Sequence, residues 1–299
     1  MKPLSQSTIA HLREIADAPD FSGTRYSIIR EIARGGMGVI YEAEDRELQR
    51  AVALKVLANE VSDANAAARM RAEAQTIARL EHPGIVPVHD AGELPDGRVY
   101  YAMKLVRGTR LDEYARSNRG RTDLLRLFIR LCEAVAFAHA HGVIHRDLKP
   151  ENVMIGSFGE VLVMDWGVAR SSTDASEPGL IIGTRGFMAP EQERGEAAID
   201  ARADVFALGR TLELLVDKTD RRITAIIRKA TNADREQRYR HAGELRDDVT
   251  RYLDGQPVSA HRENVVEKIV RWLLRNQALV TIVLAYIVMR VIVFLWVNR

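Results

Sequence analysis

Three glycines stand within four residues in EIARGGMGVIYEA, residues 31–43, and strand-like sequence flanks them on both sides. YSIIREIA leads into the cluster and GVIYEAED follows it. A dinucleotide-binding fold needs a helix after its glycines, and a P-loop needs Gly-Lys-Ser/Thr, which is missing here. The cluster therefore predicts a glycine-rich β-hairpin, which either folds over phosphate groups or only turns the chain.

Composition excludes several classes of protein. The chain has 299 residues, 28% of them charged and 46% apolar, which is typical of a globular protein with one large domain or two lobes. A net charge of +2 gives no reason to expect nucleic-acid binding. With one cysteine, Cys132, no intrachain disulfide can form, and neither a zinc motif nor a secretory signal peptide is expected.

The pattern changes from strands to helices along the chain. AVALKVL, HPGIVPVHDAGEL and RVYYAMKLV continue the strand-rich first third. TDLLRLFIRLCEAVAFAHAHG is densely apolar and predicts a buried helix that ends at Gly142. An α+β chain with a β-rich lobe followed by a helical lobe is the expected fold.

A helix over about residues 63–81, with Ser62 as its N-cap, carries a carboxylate on its apolar face. Glu73 lies on the same side as Met70 and Ile77. Burying an unpaired carboxylate is costly. We therefore expect a cationic partner for Glu73, the alternative being a glutamate at the solvent edge of the stripe.

Three motifs follow in a fixed order. VIHRDLKPENVMI (143–155) contains His-Arg-Asp with Asn152 five residues after Asp147, VLVMDWGVAR places Asp165 thirteen residues later, and GTRGFMAPE spans 183–191. Together these motifs resemble the protein kinase family, in particular bacterial eukaryotic-like (Hanks-type) serine/threonine kinases, from about Tyr26 to Pro257. The resemblance implies a two-lobed kinase-like fold.

The resemblance also implies catalytic roles for four residues. Lys55 would hold the α- and β-phosphates of ATP, and Glu73 would be its partner on the helix. Asp147 would accept the proton of the substrate hydroxyl, and Lys149 would meet the γ-phosphate. A lysine at this position is typical of serine/threonine kinases rather than tyrosine kinases.

Metal and nucleotide sites follow from the same resemblance. Asn152 and Asp165 would bind Mg²⁺, with Mn²⁺ as a possible substitute. Met103 would lie behind the adenine, Ala53 on its face, and the backbone of Lys104 and Val106 at its edge. The full set expected around the nucleotide is Ile32, Ala33, Gly35, Gly36, Gly38, Ile40, Ala53, Lys55, Met103, Lys104 and Val106.

Further positions match regulatory and structural residues of the family. Arg146 resembles an arginine that clamps a phosphate on the activation loop, for which Ser171, Ser172, Thr173, Ser176 and Thr184 are candidate sites. Thr184 is more typical of a residue that contacts the catalytic loop. Glu191 and Arg238 are expected to form a buried ion pair, and Asp204 to brace the catalytic loop.

The sequence departs from the family pattern at three places. Ala33 replaces the first glycine, which is compatible with a negative φ. Trp166 replaces a phenylalanine and brings an N–H that needs an acceptor. Only about twenty residues separate Gly209 from Lys229, where the family usually carries a longer substrate-docking segment. This last departure leaves open an alternative, a pseudokinase-like scaffold that binds nucleotide with little turnover.

The C-terminal stretch ALVTIVLAYIVMRVIVFLWV, residues 278–297, contains a single charge, Arg290. Its thirteen Leu, Ile, Val and Phe residues contribute about 4–8 kcal/mol to insertion, against about 2.5–3.5 kcal/mol for the arginine. The stretch predicts one transmembrane helix, preceded by a basic segment, residues 258–277, on the cytoplasmic side. The alternative is a buried C-terminal helix.

The expected organisation is therefore an N-terminal arm (1–25), a kinase N-lobe (26–106), a C-lobe (107–257), the basic segment (258–277) and the membrane helix (278–297). The expected function is a serine/threonine protein kinase that signals from the membrane. Its expected partners are protein substrates, a second copy for trans-autophosphorylation, and membrane lipid, but not nucleic acid.

Overall fold

A computed structural model describes residues 19–35, 38–58, 64–117, 120–166, 170–171, 183–217, 220–262, 268, 272–273 and 276–297. Several sequence-based expectations lie outside these residues. They are Gly36, the cap Ser62, the candidate phosphorylation sites Ser172, Thr173 and Ser176, and most of the N-terminal arm.

Five strands form one antiparallel sheet in the order β1-β2-β3-β5-β4. They are β1 (Tyr26–Gly35), β2 (Gly38–Asp45), β3 (Arg50–Leu57), β4 (Val88–Glu93) and β5 (Val99–Lys104). Gly35 pairs with Gly38, so the glycine cluster turns a β-hairpin, and the strand expected after it is confirmed. A Cβ on Gly38 would lie 2.4 Å from the Val56 carbonyl oxygen, so the packing of β2 on β3 requires glycine there.

The two faces of this sheet pack against different partners. Leu54, Val56 and Tyr100 point to one face, where they form a core with Tyr26 and Phe21. The residues that alternate with these along β3 and β5 point to the other face, where helix α1 (Ala64–Ala78) packs on the sheet through Met70, Ala74 and Ile77. The period of two along each strand therefore places Lys55 and Tyr101 under α1.

A helical lobe follows. Its helices are α2 (Leu111–Arg116), α3 (Arg121–Ala140), α4 (Pro190–Glu193), α5 (Arg202–Leu215), α6 (Arg221–Ala230) and α7 (Ala242–Leu253). Short strands β6 (Gly108–Arg110), β8 (Val153–Gly156) and β9 (Val161–Val163) form one small sheet, while β7 (Val143–Ile144) pairs with β10 (Arg170–Ser171). A β-rich lobe followed by a helical lobe confirms the expected two-lobed α+β architecture.

Helix α3 lies at the centre of the helical lobe, as its apolar sequence predicted. Phe128, Cys132 and Val135 of this helix are fully buried in the core of the lobe. Burial raises the pKa of the Cys132 thiol well above its usual value, because the apolar surroundings disfavour the thiolate. After the helix, Gly142 adopts a φ of 72°, a left-handed conformation suited to glycine.

The short connection after Gly209 brings α5 and α6 directly together. Helix α5 ends at Leu215 and α6 begins at Arg221. A Cβ on Gly209 would lie 2.7 Å from the Ala230 Cβ, so the absence of a side chain permits this close approach. Ile223, Ile226 and Ala230 are buried along the contacting helix. The lobe thus closes its core without a longer inserted segment.

A final helix, α8 (Gln277–Val297), forms where the transmembrane span was expected. In the part of the chain that the structure describes, no helix is both long and apolar enough to cross a membrane. The transmembrane prediction is therefore not confirmed.

A buried ion pair joins α4 to the segment before α7. The Arg238 guanidinium donates to both carboxylate oxygens of Glu191, at 2.7 and 2.8 Å. Both side chains are almost fully buried, with 0% and 3% of their surface exposed. Arg238 also donates to the carbonyl oxygens of Asn232 and Arg202. The pair therefore ties three separate segments of the helical lobe together.

We expect Arg238→Ala to lower the free energy of unfolding by about 3–5 kcal/mol, because it leaves the Glu191 carboxylate buried without its partner. Denaturant unfolding followed by circular dichroism measures this change. Arg194→Ala, which removes an exposed partner of Glu196, is the matched control and should change stability by about 0.5 kcal/mol or less. Equal effects of the two variants would contradict the assignment.

Candidate active site

The side chain of Lys55 connects the two lobes. Its Nζ donates to the Glu73 oxygens at 2.8 and 3.0 Å and to Asp165 Oδ1 at 3.1 Å. Lys55 and Glu73 are buried, whereas the Asp165 side chain is 53% exposed. Strand β3, helix α1 and the segment after β9 each contribute one of these residues, so the cluster exists only when all three elements are in place.

The electrostatics of the cluster favour its charged form. Burial disfavours the Lys55 ammonium, but interaction with Tyr101, Glu73 and Asp165 outweighs burial and raises the Lys55 pKa above its usual value. Partial burial likewise opposes ionisation of Asp165, but the Lys55 charge holds its pKa below the usual value. Both groups are therefore ionised at neutral pH.

Tyr101 is a member of this cluster that the sequence analysis did not identify. Its hydroxyl donates to Glu73 Oε1 at 2.9 Å, and its ring lies 5.7 Å from Lys55 Nζ. Tyr101 pairs directly with Lys55 across the β3–β5 ladder. The strand alternation of RVYYAMKLV was the available signal, but cross-strand register was needed to show which lysine it faces.

The glycine hairpin lies beside Lys55. Ile40 pairs with Lys55 on β3 and with Ala33 on β1. Ile32, Ala33 and Gly35 are exposed along β1, whereas Gly38 is buried. Ala33 lies in an extended strand, so its replacement of a glycine introduces no strain here.

The residues expected around adenine lie on β3, at the end of β5 and just beyond β5. Ala53 is buried and pairs with Met103, which is partly buried. The Lys104 N–H donates to the Pro87 carbonyl oxygen at 3.1 Å, so this N–H is already engaged within the protein. Val106 is partly buried just beyond the strand. Met103, Lys104 and Val106 therefore lie in one short stretch of chain, and Ala53 lies beside it on β3.

A second cluster forms around Asp147. Lys149 Nζ donates to Asp147 Oδ2 at 3.0 Å and to Thr184 Oγ1 at 2.7 Å. The Thr184 hydroxyl in turn donates to Asp147 Oδ1 at 2.8 Å. The Asn152 amide donates to the Asp147 carbonyl oxygen at 2.9 Å. The charge of Lys149 also helps to lower the Asp165 pKa, so this cluster faces the first one.

A buried carboxylate supports the backbone of this second cluster. Asp204 accepts hydrogen bonds from the backbone N–H groups of His145 and Arg146, both at 2.8 Å, and from His139 Nε2 at 2.9 Å. Burial opposes ionisation of Asp204, but these donors hold its pKa below the usual value. Sequence analysis identified Asp204 and missed His139, which is distant in sequence.

Two residues next to the site have a strained backbone. Arg146 has a φ of 69° and Asp165 a φ of 58°, in a region that non-glycine residues rarely occupy. Such strain persists only where the surrounding contacts enforce it. The hydrogen bond from the Arg146 N–H to Asp204 is one such contact.

Trp166 packs against His145, close to Asp147 in the chain. It is 1% exposed, and its ring centroid lies 4.6 Å from that of His145. Its indole N–H donates to the Val163 carbonyl oxygen at 3.4 Å, which gives the buried N–H an acceptor. The larger side chain is therefore accommodated without an unpaired polar group.

Asn152 and Asp165, the two residues expected to bind a metal, carry oxygen atoms of the kind that divalent cations prefer. Asp165 supplies a half-exposed carboxylate, and the Asn152 amide nitrogen is engaged by Asp147, so its carbonyl oxygen is the atom that could take a metal. Among the described residues, no group of three or more His, Cys, Asp or Glu side chains could hold a metal.

Comparison with known proteins gives consistent matches. A model of the protein kinase domain matches residues 26–276. A probable serine/threonine-protein kinase of Streptomyces coelicolor is 37% identical over 82% of this chain and 42% of its own length. The serine/threonine-protein kinase PknB of Mycolicibacterium smegmatis is 34% identical over 81% of this chain and 45% of its own length.

A probable PknB of Lactococcus lactis is 40% identical over 64% of this chain and 31% of its own length. This chain thus spans less than half the length of these relatives. The match to the kinase domain covers both lobes and both residue clusters. The chain therefore belongs to the protein kinase family.

Proposed function

We propose that this chain is a serine/threonine protein kinase that transfers the γ-phosphate of ATP to serine and threonine hydroxyls of proteins. The observation that carries this proposal is the contact of Lys55 with both Glu73 and Asp165, which join the two lobes across 110 residues of sequence. Phosphoryl transfer depends on positioning and charge neutralisation, and this contact supplies both.

Each polar side chain of the second cluster has a task in this reaction. An Asp147 carboxylate oxygen would accept the proton of the substrate hydroxyl. The Lys149 ammonium would neutralise charge on the γ-phosphate while it stays bonded to Asp147. Thr184 donates to Asp147 and accepts from Lys149, so it orients both groups.

The first cluster would hold the nucleotide. Lys55, kept in place by Glu73, would bind the α- and β-phosphates, and the hairpin glycines Gly35, Gly36 and Gly38 would cover them. Adenine would lie between the lobes, next to Ala53, Met103, Lys104 and Val106, with Ile32, Ala33 and Ile40 along the hairpin. The strand register supports this assignment, because Ile40 pairs with Ala33 and with Lys55, and Ala53 pairs with Met103.

Asn152 and Asp165 would bind a divalent ion, Mg²⁺ or Mn²⁺. When bound, the ion would neutralise negative charge on the phosphates. The lowered pKa of Asp165 supports this role, because the carboxylate stays ionised in the absence of the ion.

A second candidate function is a nucleotide-binding scaffold with little turnover. The direct contact of α5 with α6 at Gly209 favours it, because the segment that usually docks protein substrates is short here. The complete set of polar contacts around Asp147 favours the enzyme, since a scaffold has no need for them.

Regulation by phosphorylation is also proposed. Arg146 lies next to Asp147, where a guanidinium could pair with a phosphate on Ser171, Ser172, Thr173 or Ser176. A second copy of the chain would transfer this phosphate from ATP in trans. We also propose the domain limits expected from the sequence, with lobes at 26–106 and 107–257.

We further propose that the C-terminal helix binds a membrane, with the kinase lobes on the cytoplasmic side. Apolar side chains along α8 are largely exposed, among them Ile282 at 70%, Phe294 at 65% and Trp296 at 80%. Contiguous apolar surface of this kind needs a partner. The basic residues Lys268, Arg271 and Arg275 before the helix would face anionic lipid headgroups.

We expect Asp147→Asn to reduce phosphate transfer from labelled ATP by about 10²–10⁴-fold, because the variant lacks the proton acceptor. ATP should still raise the melting temperature, since Asp147 does not hold the nucleotide. Asp247→Asn changes an exposed carboxylate far from the site and should keep full activity. If the unaltered chain is stabilised by ATP but transfers no phosphate in Mg²⁺ or Mn²⁺, the scaffold function is correct.

Chelation of divalent ions is expected to abolish phosphate transfer, and added Mg²⁺ or Mn²⁺ should restore it. The ion should also increase the thermal stabilisation by ATP. In Asp165→Asn that extra stabilisation should be lost, while the stabilisation by ATP alone remains. An unchanged response of this variant to the ion would contradict the metal assignment.

Deletion of residues 278–299 should release the chain from the membrane fraction of cells, because it removes the apolar helix. Fractionation in high salt with and without detergent distinguishes insertion from electrostatic binding. Replacement of Lys268, Arg271 and Arg275 by glutamine is the comparison variant and should weaken only the salt-sensitive part. If the full chain stays in the detergent-free supernatant, the anchor proposal is wrong.

A further inference from the structure

Tyr101 occupies a special position below helix α1. It lies on β5, directly opposite Lys55 on β3, and only 2% of its surface is exposed. Side chains directly opposite each other on neighbouring strands share one face of the sheet. That face is covered by α1, which carries Glu73. Tyr101 is therefore enclosed between the strand that bears the lysine and the helix that bears the glutamate.

The side chain contacts both members of the ion pair in different ways. Its hydroxyl donates to Glu73 Oε1 at 2.9 Å, the same oxygen that accepts from Lys55 at 2.8 Å. Its ring lies 5.7 Å from Lys55 Nζ, within the range of a cation–π interaction. One residue thus stabilises the anion by its polar end and the cation by its aromatic face.

This geometry matters because the Glu73 carboxylate is almost fully buried. A buried carboxylate is stable only when its oxygen atoms have donors, and hydrogen bonds to charged groups are among the stronger ones in proteins. The Lys55 ammonium is shared between Glu73 and Asp165, so the tyrosine is the neutral donor that Glu73 does not share with Asp165.

We propose that Tyr101 is a positioning residue that holds α1 and the Lys55–Glu73 pair in the arrangement required for phosphate transfer. This inference rests on the kinase function proposed above. Tyr101 touches neither the substrate hydroxyl nor the group around Asp147; it acts through Glu73. A strand of the N-lobe itself, rather than a separate partner, thereby fixes the position of the helix.

The test is Tyr101→Phe, which removes the hydroxyl and keeps the ring. We expect kcat to fall roughly tenfold, the size of effect that loss of a hydrogen bond to a charged group produces. The KM for ATP should change less than about threefold, because the adenine and glycine-hairpin contacts remain. Tyr101→Leu, which also removes the ring from Lys55, should lower kcat further.

Tyr100→Phe is the matched control. Tyr100 is the neighbouring residue on the same strand, but it points to the opposite face of the sheet and packs against Phe21 and Tyr26. It undergoes the same chemical change without access to Glu73. Its kcat should stay within about twofold of the unaltered chain. Equal losses in the two variants would overturn the proposal.

A double-mutant cycle separates positioning from general packing. In the Glu73→Gln background, the additional Tyr101→Phe change should alter kcat by less than about twofold, because its charged acceptor is already gone. An undiminished tenfold loss in that background would show that Tyr101 does not act through Glu73.

Unfolding experiments test the inference even if no phosphate transfer is detected. Tyr101→Phe should lower Tm by about 2–4 °C, and the loss should be smaller in the Glu73→Gln background. Additive losses would overturn the inference whether or not the chain is an enzyme. Failure of the kinase proposal alone would appear as an unaltered chain that shows this coupling but transfers no phosphate.

Discussion

The hydrogen bonds to the buried Asp204 carboxylate are the interactions on which the loop around Asp147 depends. Asp204 accepts hydrogen bonds from the backbone N–H groups of His145 and Arg146 and from the His139 side chain. These bonds fix the loop that carries Asp147. Arg146 is held in the left-handed region, which the chain would not adopt without such contacts. The buried Asp204 carboxylate on helix α5 thus fixes the backbone next to Asp147, which is distant from it in sequence.

Between the lobes, Lys55 is the residue whose hydrogen bonds hold separate elements together. Its ammonium is shared by Glu73 on α1 and Asp165 beyond β9, and Tyr101 adds a donor from β5. Since a buried charge is stable only with partners, any movement of α1 away from the sheet exposes or unpairs one of these groups. The position of α1 and the contact between the lobes are therefore coupled through a few hydrogen bonds.

Sequence reasoning identified most of the polar residues that meet at this site, for two reasons. Motif spacing placed Asp147, Lys149 and Asn152 on one short loop, where the chain itself limits their separation. The apolar face of α1 made the unpaired Glu73 conspicuous. Tyr101 and His139 were missed because their partners lie across a strand pair and on another helix, and neither distance is visible as a local pattern.

The sequence by itself determined the glycine hairpin, the strand-rich and helix-rich halves and the buried helix α3, because these features depend on near neighbours and periodicity. The three motifs were identified by their resemblance to the protein kinase family. Tertiary structure alone decided which face of β5 meets Lys55, how Asp204 reaches the loop that carries Asp147, and how α5 packs on α6 across Gly209. The physical reason is that hydrogen bonds and steric contacts act over a few ångströms, and only the folded chain brings distant residues within that range.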